Sequence, residues 1–247
     1  MNIKQYLDAT YLKTASQAGL SEEENNVVVK NAISEAIEEG FKLIMIRPEK
    51  VALAKEMILK ANSNLLVGTV IDFPQGNSDI ETKLKEANIA IENGADDLDF
   101  VCNYEAFKNG EIDLVKQEIL IATQIGLANN KTVKWIIETA ALNDKEIIQL
   151  SALIKNIVIT NFQEENYASV FVKSSTGFYE TQNNLSNGAT LPAVIMMLEN
   201  ASPLPVKAAG GIKSYEEAIE MIHLGVKRIG TSAAKNIANG ESTTNQY

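Results

Sequence analysis

The chain alternates short apolar runs with longer segments in which apolar residues recur three and four positions apart. Short apolar runs are typical of buried strands, and the longer spacing is typical of helices that bury one face. The clearest helical segments are residues 21–39, 78–93 and 215–224. The pattern predicts strands that begin near Leu7, Lys42, Leu66, Asp97, Thr132, Ser169, Pro205 and Lys227.

Local signals support these boundaries. Ser21 followed by Glu24 predicts a capping box, and Gly40 predicts the end of the same helix. Eight strands that alternate with helices in one domain-sized chain predict a single-domain α/β fold, a (β/α)₈ TIM barrel over residues 1–239. An open doubly wound sheet is the alternative, but no Gly-x-Gly-x-x-Gly follows the first strand. Residues 240–247 are predicted to be a flexible C-terminal tail.

Two predicted strands end in a lysine, Lys173 and Lys207, beside turns rich in glycine or hydroxyl side chains. A lysine that becomes buried loses side-chain entropy and the hydration of its ammonium group, so these positions suggest that the amine has a chemical function. Strand side chains alternate between the barrel interior and the helix layer. This alternation directs one set of charged side chains into the barrel: Asp97, Asp99, Lys134, Glu138, Lys173 and Lys207. A structural ion-pair network is the alternative, although buried ions are costly to keep for stability alone.

The composition of the chain limits the classes of partner and active site that are expected. The formal net charge of −10 argues against nucleic-acid binding, and the apolar runs are too short to cross a membrane. The single cysteine, Cys102, rules out an intrachain disulfide and favours the cytoplasm. His223, the only histidine, falls in the last turn of a predicted helix that Gly225 ends, so neither a zinc site rich in histidine nor a Ser-His-Asp triad is expected.

Six stretches, in order along nearly the whole chain, resemble deoxyribose-phosphate aldolase, a family of class I aldolases. They are Leu7-Asp8-Ala9-Thr10, Asp72-Phe73-Pro74-Gln75-Gly76-Asn77, Gly94-Ala95-Asp96-Asp97-Leu98-Asp99, Lys134-Trp135-Ile136-Ile137-Glu138-Thr139, Lys173-Ser174-Ser175-Thr176-Gly177-Phe178 and Lys207-Ala208-Ala209-Gly210-Gly211-Ile212. The resemblance implies reversible cleavage of 2-deoxy-D-ribose 5-phosphate to D-glyceraldehyde 3-phosphate and acetaldehyde, in deoxyribose phosphate catabolism. It implies neither a metal nor an organic cofactor.

The resemblance also implies roles for individual residues. Lys173 would form the Schiff base, with Lys207 as the neighbouring cation that lowers its pKa. Asp99 and Lys207 would relay protons through a water. Lys134 would tune both partners, or it would only pair with Asp99 or Glu138. Asp8, Thr10 and the C-terminal Tyr247 are further auxiliary candidates.

The phosphate group is expected to bind backbone N–H groups at the turns after strands six, seven and eight, where this barrel architecture often binds phosphate. The candidates are Gly177, Gly210, Gly211, Lys213, Gly230 and Ser232.

Some segments depart from the family pattern. Arg47 stands where a small residue is expected. The segment over residues 156–168 is longer than expected and predicts extra helix or a short strand, and the polar loop over residues 178–188 is also long.

Two other functions stay open: an aldolase with a keto-acid donor, and a barrel that binds phosphosugars without catalysis. The expected partners are the phosphosugar and aldehydes, together with a second copy of the chain in a homodimer.

Overall fold

The computed structural model describes residues 1–181 and 187–241. Eight parallel strands pair in chain order and close on themselves, with β1 beside β8. The predicted (β/α)₈ barrel is therefore confirmed. The strands are Leu7–Tyr11 (β1), Leu43–Ile46 (β2), Leu66–Ile71 (β3), Asp97–Val101 (β4), Thr132–Ile136 (β5), Val170–Lys173 (β6), Val206–Ala209 (β7) and Arg228–Thr231 (β8).

Helices follow the strands and pack around the barrel. They are Ala15–Ala18 (α1), Glu22–Glu39 (α2), Val51–Lys60 (α3), Ile80–Glu92 (α4), Tyr104–Lys108 (α5), Ile112–Ala128 (α6), Asp144–Asn161 (α7), Leu191–Ala201 (α8), Tyr215–Leu224 (α9) and Ala234–Ala238 (α10). Short 3₁₀ turns lie at Ile3–Tyr6, Pro48–Lys50, Thr139–Ala141 and Glu164–Ser169.

The helix boundaries follow the local capping chemistry. Ser21 caps α2 in a capping box with Glu24, and Gly40 ends the helix in the left-handed region. The segment over residues 156–168, predicted as extra helix or a short strand, is helical: α7 extends to Asn161 and a 3₁₀ turn follows. His223 lies in the last turn of α9, and Gly225 ends that helix as predicted.

The strand side chains divide into an outer apolar layer and an inner layer. Leu98, Phe100 and Trp135 are fully buried in the larger hydrophobic core. The Phe100 and Trp135 rings stack with their centroids 5.2 Å apart, and the Trp135 indole N–H donates to the Thr123 hydroxyl of α6. These contacts fix the parity of β4 and β5, so their charged residues point into the barrel.

Within the described residues, no helix combines the length and apolar character that a membrane crossing requires. The tail residues 242–247, which include Tyr247, lie outside the described part of the chain, as do residues 182–186 of the long polar loop.

Candidate active site

The carboxylate of Asp99, fully buried on β4, is bonded by three lysines from three other strands. Its Oδ1 accepts a hydrogen bond from Lys134 Nζ at 2.7 Å. Its Oδ2 accepts from both Lys173 Nζ and Lys207 Nζ, each at 2.9 Å. The strand register explains this convergence, because Asp99 pairs with Lys134, and Lys173 pairs with Lys207.

A second set of ion pairs surrounds these residues. Lys207 Nζ lies 2.6 Å from Asp8 Oδ2, and Arg228 Nε donates to Asp8 Oδ1 at 2.7 Å. Asp97 accepts from Lys134 Nζ at 2.6 Å and lies 3.4 Å from Arg228 Nη2. Three carboxylates thus hold four cations in the barrel: Asp8, Asp97 and Asp99, with Lys134, Lys173, Lys207 and Arg228.

The cations in this network differ in their proton affinity. Burial, helped by the charges of Lys207 and Lys134 and opposed by Asp99, lowers the pKa of Lys173 to about 8. Burial would also lower the pKa of Lys134, but Asp97 and Asp99 outweigh it and raise that pKa. Lys173 is therefore the amine of this pair that is prepared to lose its proton.

Asp99 behaves in the opposite sense. Burial alone would raise the pKa of its carboxyl, but Lys134, Lys173 and Lys207 hold it well below the ordinary value. At Asp8, Arg228 and Lys207 likewise overcome the effect of burial and lower the pKa. Asp99 and Asp8 are consequently fixed as anions that organise the cations around them.

The structure brings together most of the predicted charged residues and adds one. Lys134 pairs with Asp99, one of the two partners considered from the sequence, and with Asp97, whereas Glu138 lies apart from it. Arg228 was missed by the sequence reasoning. Its alternation with Gly230 along β8 was the available signal, because both positions face the barrel interior beside Lys207.

Thr10 follows Asp8 on the same face of β1 and donates its hydroxyl proton to the Asp8 carbonyl at 2.9 Å. It is half-buried, while Asp8 is fully buried. Thr10 thus lies closer to the open end of the barrel than the charged network.

Three glycines from two loops meet above β6 and β7. The α-carbon of Gly210 is close to those of Gly177 and Gly188, and a β-carbon on Gly188 would lie only 2.1 Å from the Gly210 carbonyl oxygen. Ala189 N–H donates to the Gly210 carbonyl at 3.0 Å, which fastens the end of the polar loop to this turn. Gly188 was missed in the sequence, where Asn187-Gly188 reads only as a turn.

The turn after β7 exposes backbone donors. Gly210 and Gly211 have φ values of 86° and 80°, which side chains rarely tolerate. The N–H groups of Gly177, Gly210 and Gly211 have no acceptor among the described residues. Consecutive free N–H groups in such turns form a concave site for anions.

The backbone N–H of one predicted phosphate contact, Lys213, already has a partner within the protein. The backbone N–H of Lys213 donates to Glu217 Oε2 at 2.7 Å, and Ser214 donates to the same oxygen at 3.0 Å in a capping box. A carboxylate thus satisfies the start of α9, and of Lys213 only the side chain is left to contact an anion.

The position expected for Gly230 is wrong. It was predicted in a turn ahead of the last helix, but it lies inside β8. A β-carbon there would meet Lys207 Cε and Ala209 Cβ, each at 3.1 Å, so glycine makes room for the lysine stem. Ser232 lies in the exposed turn between β8 and α10.

The other half of the barrel interior is apolar. Leu12, Leu43, Met45 and Val70 form a cluster against which Phe73 and Phe178 pack. The two phenylalanine rings meet edge to face, with centroids 5.1 Å apart. An apolar wall thus faces the charged network across the barrel, which suits a site where a small aldehyde reacts.

Arg47, which departs from the family pattern, supports the rim of this wall. Its Nε donates to the Leu12 carbonyl at 2.6 Å, and its guanidinium lies 5.0 Å from the centroid of the Phe73 ring. It therefore fastens the ends of β1 and β3 together.

A second buried charge cluster supports the loops after β3 and β4. Lys83 of α4 is fully buried and donates to the carbonyls of Gly76 and Val101 at 2.8 and 2.9 Å. It also pairs with Glu118 at 3.0 Å and with Asp72 at 3.4 Å. No local pattern points to this burial, because a lysine in an amphipathic helix is usually exposed.

Comparison with known proteins agrees with this geometry. The family model described as DeoC/LacD family aldolase matches residues 6–242. The deoxyribose-phosphate aldolase of Thermococcus gammatolerans is 37% identical over 241 residues, which cover 97% of this chain and 96% of that protein. The chain belongs to the DeoC/LacD aldolase family.

Solved structures of aldolases share the fold. An aldolase named QR15 superposes with a TM-score of 0.80 at 31% identity, covering 97% of this chain and 95% of that one. The deoxyribose phosphate aldolase from Aeropyrum pernix, described as a unique tetramer, gives a TM-score of 0.77 at 26% identity, with 96% and 89% covered. The family resemblance drawn from the six sequence stretches is thus confirmed.

Proposed function

We propose that this family member reversibly cleaves 2-deoxy-D-ribose 5-phosphate to D-glyceraldehyde 3-phosphate and acetaldehyde, through a Schiff base on Lys173. The observation that carries the proposal is the pairing of Lys173 with Lys207 on one oxygen of Asp99. The relatives named deoxyribose-phosphate aldolase support the choice of substrate.

The lowered pKa of Lys173 supports its role as the nucleophile. An amine attacks a carbonyl only when it is neutral. With a pKa of about 8, about a tenth of Lys173 is neutral at pH 7, whereas an ordinary lysine is neutral in only about 0.03% of molecules. Burial and the neighbouring cations thus raise the reactive fraction by about 300-fold.

The carbon count of the products identifies the bond that breaks. Acetaldehyde carries C1 and C2, so the C2–C3 bond is cleaved and the C3 hydroxyl loses its proton. The protonated imine at C1 accepts the bonding electrons and becomes an enamine. The enamine is then protonated at C2.

Lys207 is the proposed proton carrier for these steps, together with a water. Asp99 stays ionised because three lysines surround it, so we assign it the role of orienting Lys173 and Lys207. Lys134 would hold the other oxygen of Asp99 in place, and Asp8 would hold Lys207 from the opposite side. Thr10, nearer the open end, would contact the substrate.

The phosphate would bind the free N–H groups of Gly177, Gly210 and Gly211, with the side chains of Lys213 and Ser232 as further contacts. Turns with successive left-handed residues bind anions through their N–H groups, which supports this choice. Gly230 we assign instead to making space for Lys207.

We also propose a division of the chain, an oligomeric state and a cellular location. Residues 1–239 would form the catalytic unit and 240–247 a tail, with Tyr247 an auxiliary group. A homodimer is proposed, and the tetramer described for the Aeropyrum pernix relative makes self-association a reasonable test. The single, buried Cys102 supports a location in the cytoplasm.

Incubation with 2-deoxy-D-ribose 5-phosphate, followed by borohydride reduction and peptide mass spectrometry, tests the proposal. An adduct on Lys173 is expected, and Lys173→Ala should lose both the adduct and the cleavage activity. Near-normal turnover by Lys173→Ala would overturn the assignment. An adduct with a keto acid but not with deoxyribose phosphate or acetaldehyde would favour the other aldolase chemistry.

A further inference from the structure

The backbone at Glu138 runs beside the segment that carries the reactive lysine and has an unusual conformation. Ile136, two residues earlier, pairs with Lys173 in the strand register. Thr139 N–H donates to the Ser174 carbonyl at 2.9 Å, so the backbone around Glu138 is fastened to the segment that follows Lys173. Glu138 has a φ of 56°, a left-handed value that is uncommon for a residue other than glycine. Strain of this kind is concentrated at functional sites.

The two oxygens of the Glu138 carboxyl have different surroundings. Oε2 accepts hydrogen bonds from the N–H of Thr176, at 3.1 Å, and from the Thr176 hydroxyl. Oε1 is shielded from solvent and has no hydrogen-bond partner among the described residues. The Ser175 hydroxyl shares a hydrogen bond with the Thr139 hydroxyl at 2.9 Å and also helps to lower the pKa of the Glu138 carboxyl. A buried carboxyl oxygen without a partner is costly, so a ligand is the expected partner.

Schiff-base formation also needs an acid, and in the charged network Lys207 is already assigned to the proton transfers of cleavage. The carbinolamine on Lys173 loses its hydroxyl as water, and this requires a proton. Asp99 cannot hold that proton, because three ammonium groups keep its pKa well below the ordinary range.

Glu138 is suited to hold a proton. Burial raises the pKa of its carboxyl, and the hydrogen bonds from Thr176 and Ser175, together with the charge of Lys173, offset this only in part. Tyr104 faces it from α5, with a pKa that burial and the Glu138 charge raise to about 12, so it stays a neutral phenol.

We propose that Glu138 is a catalytic residue that donates a proton from Oε1 to the C1 oxygen of the carbinolamine on Lys173, directly or through one water. The C1–O bond breaks, water leaves, and the nitrogen lone pair forms the C=N bond, which gives an iminium beside a carboxylate. When water later adds to the acetaldehyde imine, the carboxylate takes a proton back. No net proton is consumed. The role rests on the proposed Schiff-base function.

Glu138→Gln tests the proton transfer, because the amide oxygen still accepts hydrogen bonds from Thr176. The rate of imine formation is measured by mixing the protein rapidly with deoxyribose phosphate and quenching with borohydride at set times. The reduced adduct on Lys173 is then quantified. We expect the rate to fall by about 10²- to 10⁴-fold, the usual contribution of acid–base catalysis, with the final extent of labelling unchanged.

Glu138→Gly provides a second, independent readout. Glycine accepts the left-handed backbone and leaves room for a small acid. We expect formate to restore its rate of imine formation by at least about tenfold, which is below the 10²- to 10⁴-fold contribution of a positioned acid, and chloride at equal ionic strength to have no effect. Glu118→Gln, which alters another buried glutamate of raised pKa that contacts Lys83, is the matched control and should keep the wild-type rate.

The results distinguish a failure of the Glu138 proposal from a failure of the proposed function. A Glu138→Gln rate close to the wild-type rate, an equal loss in Glu118→Gln, or no rescue of Glu138→Gly by formate would each overturn the role of Glu138. Absence of any Lys173 adduct in the wild-type protein would instead overturn the proposed function, and the role of Glu138 with it.

Discussion

Replacement of Lys207 by methionine should raise the pKa of Lys173. Both ammonium groups lie 2.9 Å from Asp99 Oδ2, so their nitrogens are at most about 6 Å apart. Two like charges at this distance repel by about 3 kcal/mol at an effective dielectric constant of about 20, which corresponds to about two pKa units. Without Lys207, the pKa of Lys173 should therefore move from about 8 towards about 10.

The rate of imine formation with acetaldehyde, measured by borohydride trapping between pH 6 and 10, reports this change. The neutral fraction of Lys173 at pH 7 should fall by up to about 100-fold, and the loss should disappear at high pH. Acetaldehyde isolates imine formation from carbon–carbon cleavage, in which Lys207 is proposed to take part.

Lys134→Met is the matched comparison. Lys134 is also fully buried and bonded to Asp99, but through the other oxygen, and it lowers the pKa of Lys173 less than Lys207 does. Its replacement should shift the pH midpoint by less. A midpoint that stays near pH 8 in a folded Lys207→Met protein would show that Lys207 does not lower the pKa of Lys173.

Three further predictions concern stability and substrate binding. Lys173→Met should raise the free energy of unfolding at pH 7 by up to about 3 kcal/mol in urea titrations, because the charged lysine is disfavoured in the fold. Between about pH 8 and the ordinary lysine pKa of 10.5, the unfolded wild-type chain binds more protons than the folded one. The stability gained by Lys173→Met should therefore be full below pH 8 and vanish above pH 10.5. An unchanged stability at pH 7 would contradict the lowered pKa of Lys173. Gly188→Ala should raise KM for deoxyribose phosphate with little effect on acetaldehyde trapping, since the new methyl group would displace Gly210; equal effects on both would argue against a phosphate role for this turn. Lys83→Met should cost about 3–5 kcal/mol in thermal or urea unfolding by leaving Glu118 unpaired, and a loss below about 1 kcal/mol would mean that water replaces the ammonium.

The fold was readable from the sequence because its signals are local. Strand and helix periodicity, Ser21 with Glu24, and Gly40 each act over a few residues, and the structure confirms them. Alternation along β4 and β5 also predicted correctly that Asp97, Asp99 and Lys134 point into the barrel. These conclusions needed no knowledge of which residues meet across the chain.

The contacts of the site depended on the closure of the barrel. Asp99 is 108 positions from Lys207, and Asp8 is 220 positions from Arg228, so no local pattern could indicate that they bond. Burial, which contributes most to lowering the pKa of Lys173, likewise exists only once the strands close into a barrel around it. The sequence determined which side chains would enter the barrel. The tertiary structure decided how protons are shared among them, because charge interactions in a buried site depend on distances that only the closed barrel sets.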